Sequence, residues 1–157
     1  MYFKRRGKAK VVLVQRKDPF PTWRLPKGHQ KGREALLETA RREVLEETGI
    51  EGSGGPKLEI VNFKFTHPVT KKYTHKFVHY FLFKKESGSI SNRAPNEKGG
   101  EPIAAVRWFT LQKAIQVATF KGDKQMLKKA QKIITKRQKS PVNKSTIRTR
   151  SRYTQDT

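Results

Sequence analysis

Cysteine is absent from the 157 residues, which excludes a disulfide framework and any thiol chemistry. A thiol-free chain suits a reducing interior, so a cytoplasmic location is the expectation. Long apolar runs are missing as well. The longest purely aliphatic stretch is Val11 to Val14, far short of the roughly 20 residues that a membrane helix needs. The N-terminus lacks a signal-peptide pattern, because MYFKRRGKAK leads directly into a strand-like segment. Acidic residues are scarce, with 13 Asp and Glu against 36 Lys and Arg and a formal charge of +23. That imbalance argues for polyanionic partners: phosphorylated small molecules, RNA or ribonucleoprotein surfaces. Charge alone does not choose among them. The length suits one domain with a proper core, and no internal repeat is evident.

Against this basic background, the few acids gather in one place. Residues 28–50 read GHQKGREALLETARREVLEETGI, a glycine loop running into a helix expected from about Arg33 to Thr48. Gly49 is placed to stop that helix. At about 100° per residue, Glu43, Glu46 and Glu47 fall within roughly 100° of one another. Leu37, Ala40, Val44 and Thr48 lie on the neighbouring stripe and face a core. Like charges at i,i+3 and i,i+4 spacing repel. One explanation is a solvated acidic face neutralised by Arg41 and Arg42. The other is a positive ion among the three carboxylates, for which hard divalent cations such as Mg²⁺ are suited.

Along the chain, Lys8–Lys17 reads as a buried strand and DPFPTW as a loop. Trp23–Pro26 is a short extended piece leading to Lys27, a candidate phosphate contact beside a turn that Gly28 permits. EGSGGP is expected as a loop after the helix. Lys57–Thr66 alternates as a half-buried strand, HPVTKK turns, and Tyr73–Lys84 forms a long aromatic strand. On one of its faces Lys76 and Tyr80 supply a cation and a flat ring suited to a nucleotide. His75 and His79 have no acidic or cysteine partner in register and are read as strand residues. Glu86–Gly100 is a turn-rich loop, Ala104–Thr110 a strand, Leu111–Ala118 a short helix, and Asp123 caps a helix to about Arg137. Met126, Leu127, Ala130, Ile133 and Ile134 form its apolar stripe. Residues 138–157 form a basic, flexible tail carrying Lys139, Lys144, Arg148, Arg150, Arg152 and Tyr153, a composition suited either to RNA or to plain solubility.

The pattern at 28–50 resembles the signature of the Nudix hydrolases: Gly28, Glu34, Arg42, Glu43, Val44, Glu46, Glu47, Gly49 and Ile50 fill its constrained positions at the right spacing. Many members carry glycine directly before the first glutamate, whereas here Gly32 precedes Arg33. The resemblance covers roughly residues 8–137, and WRLPKGH, KFVHYFL, RWF and ATFK are similar to segments of the diadenosine tetraphosphate hydrolases and their bacterial relatives. It implies an α/β fold, an α/β/α sandwich with a mixed β-sheet between helices, in a domain spanning 1–137. It further implies Mg²⁺-dependent hydrolysis of a nucleoside diphosphate-linked substrate, with Mn²⁺ as the alternative ion. Glu43, Glu46 and Glu47 become metal ligands, assisted by the Gly28 carbonyl, while Arg42 and Glu34 brace helix and loop. The general base is Glu46 or Glu101, the latter from its place before the RWF strand.

Physical logic agrees with that chemistry. A metal ion neutralises the pyrophosphate and lowers the pKa of bound water, and a carboxylate then takes the proton. Lys27 and Lys76 offset charge on phosphate oxygens, and Tyr80 stacks on a base. Three functions compete: a hydrolase of dinucleoside polyphosphates or related nucleotides, an RNA 5′-end pyrophosphohydrolase, and a non-catalytic RNA- or ribonucleoprotein-binding module on the same fold. Retention of three mutually repelling carboxylates argues against the last.

Overall fold

The computed structural model describes residues 2–5, 8–17, 20–67, 69–90 and 102–139. The elements run β1 (Tyr2–Arg5), β2 (Lys8–Arg16), β3 (Thr22–Arg24), α1 (Leu36–Thr48), β4 (Ile50–Ser53), β5 (Lys57–Thr66), β6 (Tyr73–Phe81), β7 (Lys84–Gly88), β8 (Ile103–Thr110), α2 (Leu111–Val117) and α3 (Lys121–Lys139).

Six strands form a sheet ordered β3-β2-β1-β7-β4, with β8 along the other edge of β2. The β1–β7 pairing is parallel and the rest antiparallel, so the sheet is mixed. The central strand β2 explains the layering. Its Val11, Val12, Leu13 and Val14 are all buried, the continuous apolar run of a strand covered on both faces. Val11 and Leu13 join a core with Leu111, Ala114, Leu127, Ala130 and Ile134 of α2 and α3. Val12 points the other way, into a second core with Val44 of α1, Ile50 and Phe83. Helices therefore cover both faces, as the sandwich expectation required.

Several boundaries differ from the sequence reading, each for a local reason. Helix α1 begins at Leu36, not near Arg33, because Glu34 closes a turn onto the Lys31 carbonyl (3.1 Å) and sends its side chain to Arg42. Gly49 ends it as expected, at φ 69°, with its N–H bonded to the Leu45 carbonyl. The expected loop EGSGGP opens with β4, which pairs with β7. The long aromatic strand breaks at buried Leu82 and Phe83, where the chain leaves β6 to enter the main sheet as β7. Helix α3 extends from Lys121 to Lys139, so Asp123 lies inside its first turn and does not cap it. Within 86–100, β7 takes the first residues, and 91–101 lie outside the described residues, as does the tail from 140 onward. No helix among the described residues is long and apolar enough to cross a membrane.

Candidate active site

The loop that leads into the signature is held from the far end of the fold. Trp23 exchanges hydrogen bonds with Thr119: its N–H donates to Thr119 Oγ1 (3.0 Å) and its carbonyl accepts from the Thr119 N–H (2.9 Å). Its ring meets Phe109 edge-on at 5.0 Å, and Arg24 stacks over Phe120 at 4.7 Å. Two residues on, the Leu25 N–H donates to Asp123 Oδ2 (3.4 Å), and Asp123 is buried. Burial pushes the Asp123 carboxyl up, against the pull of that N–H and of the Lys27 and Arg24 charges. Asp123 in turn raises Tyr80, whose phenol is pushed up to about 12, chiefly by burial. Lys27 therefore sits between two carboxylates, because its N–H also donates to Glu47 Oε2 (3.1 Å).

Arg42 is the hub of the helix side. Its Nε and Nη2 bond Glu34 Oε1 and Oε2, both at 3.0 Å, in a two-pronged pair. Its Nη1 reaches Glu43 Oε1 (2.8 Å) and Glu46 Oε2 (3.0 Å), and Nη2 also donates to the His29 carbonyl (2.9 Å). The Arg42 bond, helped by Thr39 Oγ1 and the Lys31 N–H, holds the Glu34 carboxyl down at about 2. Glu34 in return holds the Arg42 guanidinium further up. Through Glu34 and the His29 carbonyl, Arg42 ties the loop to the helix.

The three signature carboxylates differ in their surroundings. Glu43 is half-buried and lies against Gly28: a Cβ on Gly28 would fall 1.9–2.1 Å from its carboxylate atoms. Gly28 is outside the left-handed region, unlike Gly32 and Gly49, so glycine is needed here for close approach and not for the turn anticipated from the sequence. Glu46 is the most open, its side chain 35% accessible, with Lys31 Nζ at 3.5 Å. Glu47 is buried and ion-paired with the equally buried Arg16 at the end of β2. Desolvation pushes its carboxyl up to about 7, against the charge of Arg16 and the Lys27 N–H.

Oxygen donors of this kind suit a hard divalent cation, and the Glu43–Gly28 contact is a cradle that a larger residue would fill. Among the described residues, however, no three acidic or imidazole groups already converge as a metal cage. Glu43 and Glu46 share Arg42, which supplies the neutralising charge. The donor set fits a metal once Arg42 keeps Glu34 and yields those two carboxylates.

The fold thus gathers Gly28, Glu34, Arg42, Glu43, Glu46, Glu47 and Lys27, with Tyr80 coupled to them through Asp123. Lys76 stays exposed on the β5–β6 hairpin, opposite Phe63. Glu101 lies outside the described residues. Two residues of the site carry other signals in the sequence: Arg16 reads as the charged end of a strand, and Asp123 as a helix cap. A lone arginine closing the apolar run VVLV was the available signal for the first.

Comparisons with known proteins bear on the family and the fold. The family profile of the NUDIX domain matches residues 2–130. The bis(5′-nucleosyl)-tetraphosphatase [asymmetrical] of Mus musculus is 33% identical over 123 residues, 78% of this chain and 79% of that protein. In structure, a C. elegans Ap4A hydrolase binary complex superposes with a TM-score of 0.62 at 23% identity, covering 86% of this chain and 93% of that one. The NUDIX domain of Shewanella oneidensis NrtR, complexed with ADP ribose, gives 0.59 at 18% identity over 85% and 82% of the two chains. The chain belongs to the Nudix hydrolase family, enzymes that hydrolyse phosphoanhydride bonds and generally use divalent metal ions.

Proposed function

We propose that the chain is a Mg²⁺-dependent pyrophosphohydrolase of dinucleoside polyphosphates acting in the cytoplasm, with Mn²⁺ as the alternative ion. The observation that carries this reading is the Glu43 carboxylate set against Gly28, with Glu46 and Glu47 on the same flank of α1. The substrate class rests on similarity to the mouse tetraphosphatase. Glu43, Glu46, Glu47 and the Gly28 carbonyl would hold the metal. When bound, the metal neutralises the polyphosphate and lowers the pKa of water.

The chain's own residues do the rest. Glu46 is the carboxylate best exposed to take the proton of the attacking water. Glu47 is buried, with one oxygen on Arg16 and the other on the Lys27 N–H, so its remaining lone pairs would serve the metal and not the attacking water. Water forms a bond to one phosphorus, the bridging P–O bond on that phosphorus breaks, and Glu46 receives the proton. A dinucleoside tetraphosphate then yields a nucleoside triphosphate and a monophosphate. Lys27 offsets charge on the phosphate oxygens. Tyr80 offers a ring to one base, and Lys76 a cation from the hairpin.

The test is a panel of diadenosine tetraphosphate, nucleoside triphosphates, ADP-ribose and 5′-triphosphorylated RNA, each with and without Mg²⁺. Mg²⁺-dependent turnover led by the dinucleoside tetraphosphate is the expected outcome. Fastest turnover on RNA, falling steeply with salt, would replace it with RNA 5′-end hydrolysis. RNA binding without turnover of anything would point to a non-catalytic module.

A further inference from the structure

The β5–β6 hairpin forms a two-stranded sheet of its own, separate from the six-stranded one. An isolated hairpin is marginally stable unless one face is covered. Register assigns the faces. Glu59, Val61, Phe63 and Phe65 lie opposite Tyr80, Val78, Lys76 and Thr74; on this side Glu59, Val61, Thr74, Val78 and Tyr80 are half-buried, while Phe63 and Phe65 are exposed. The other side pairs Ile60, Asn62, Lys64 and Thr66 with His79, Phe77, His75 and Tyr73. It is the more open of the two: His79 alone is half-buried, and Tyr73 is 71% and Phe77 57% exposed.

The β6 half of that face is a row of rings. Tyr73, His75 and Phe77 occupy alternate positions of β6, about 6.7 Å apart from residue to residue, and the His75 and Phe77 rings approach to 4.3 Å between centroids. Lys64 lies directly across from His75, and exposed Lys71 and Lys72 crown the turn. Residues 57–81 hold five lysines and one acid, Glu59. That acid lies on the opposite side and is ion-paired with Lys129 of α3. A row of flat rings among cations fits a polyanion with exposed planar groups. In a duplex the bases are stacked away, whereas a single strand offers them to aromatic side chains, and sheet faces bearing aromatics are a recurrent RNA platform.

We propose that this outward face, with Lys64, Tyr73, His75 and Phe77, binds single-stranded RNA at a place separate from the hydrolytic site. The inference does not depend on the substrate assigned above. The test measures fluorescence anisotropy of a labelled single-stranded RNA 12-mer, and of its duplex, with the full chain. Tyr73→Ala/Phe77→Ala changes no charge, so electrostatic attraction by the remaining lysines is preserved. The double variant is expected to weaken single-strand binding roughly 30-fold or more, about 5-fold or more for each of the two rings, and to leave the weaker duplex binding unchanged. Phe77→Trp, which keeps a ring, is expected to retain affinity, and Lys64→Gln/Lys72→Gln to flatten the log–log salt slope by about 1.4. A urea melt is expected to be unaltered in all of them, which reports a folded domain whatever the substrate of the hydrolytic site. Unchanged RNA affinity in the double alanine variant overturns the proposal. So does a concentration-dependent dimer that the variant abolishes without altering RNA binding, since that assigns the face to a second copy of the chain.

Discussion

Replacing Gly28 by alanine isolates the geometry of the site from the stability of the fold. The new Cβ would stand 1.9–2.1 Å from the Glu43 carboxylate, where ordinary contact begins at 3.4 Å. The carboxylate must therefore retreat by about 1.3–1.5 Å, the difference between those distances. That movement also pulls Glu43 from Arg42 Nη1, now at 2.8 Å. A misplacement of about 1 Å in a catalytic constellation costs on the order of 100-fold in rate, equivalent to about 2.7 kcal/mol of transition-state stabilisation. Stability should hardly move. The backbone at Gly28 is outside the left-handed region, the displaced atoms end a flexible side chain, and alanine restricts the unfolded chain slightly. The assay is release of nucleoside triphosphate from diadenosine tetraphosphate under saturating Mg²⁺, paired with a urea melt. The expected result is kcat/KM lowered about 100-fold with unfolding free energy within about 1 kcal/mol of the parent. Parental kcat/KM in Gly28→Ala would refute the role given to the Glu43–Gly28 contact. A loss of several kcal/mol would show that Gly28 serves the fold instead.

Three other perturbations test separate parts of the account. Arg16→Ala strands the buried Glu47 carboxylate and should cost about 3–5 kcal/mol in a urea melt near pH 8. Glu47, already pushed up to about 7, then rises further. The folded state therefore binds more protons than the unfolded one above about pH 4.5, and the variant should recover stability as pH falls towards 6. Glu34 works with the opposite sign: its carboxyl, held at about 2 by Arg42, contributes stability in full above about pH 4.5 that is lost as pH falls through 2. Carboxyl NMR should find a midpoint near 2, and Glu34→Gln should lack that part of the acid transition. Asp123→Ala leaves the Leu25 N–H without its acceptor, costing about 1–3 kcal/mol and raising KM as Lys27 shifts. Asp123→Asn keeps an oxygen and should restore most of both, as chemical denaturation and steady-state kinetics can read.

How far the sequence spoke depended on whether the deciding interaction was local. Helix α1, its stop at Gly49 and the shared flank of Glu43, Glu46 and Glu47 follow from spacing within one segment, and all were legible. The run Val11 to Val14 announced a strand covered on both faces, because only such a strand lacks alternation. Strand β4 was missed because EGS carries little strand preference and is fixed by pairing with β7, more than 30 residues away. The same distance hid Arg16, whose partner Glu47 is 31 positions on, and Asp123, 98 positions from Leu25. In sequence Gly28 reads as a residue that permits a turn, whereas the close approach of Glu43 exists only once helix and loop are folded together. Glu101, tied to the site only by its place in the sequence, lies outside the described residues.

The central claim is that carboxylates of α1 support metal-dependent hydrolysis of a dinucleoside polyphosphate, with Glu46 taking the proton of water. Its most direct measurement follows the products of diadenosine tetraphosphate by ³¹P NMR, with and without Mg²⁺, for the parent chain and Glu46→Gln. Glu46 is the right position because it is the open carboxylate, held by Arg42 and Lys31 rather than buried against Arg16. The account predicts ATP and AMP in equal amounts, formed only with the metal, and a rate lower by about 100- to 10,000-fold in the variant. Equal rates in the two proteins, or turnover indifferent to Mg²⁺, would contradict it.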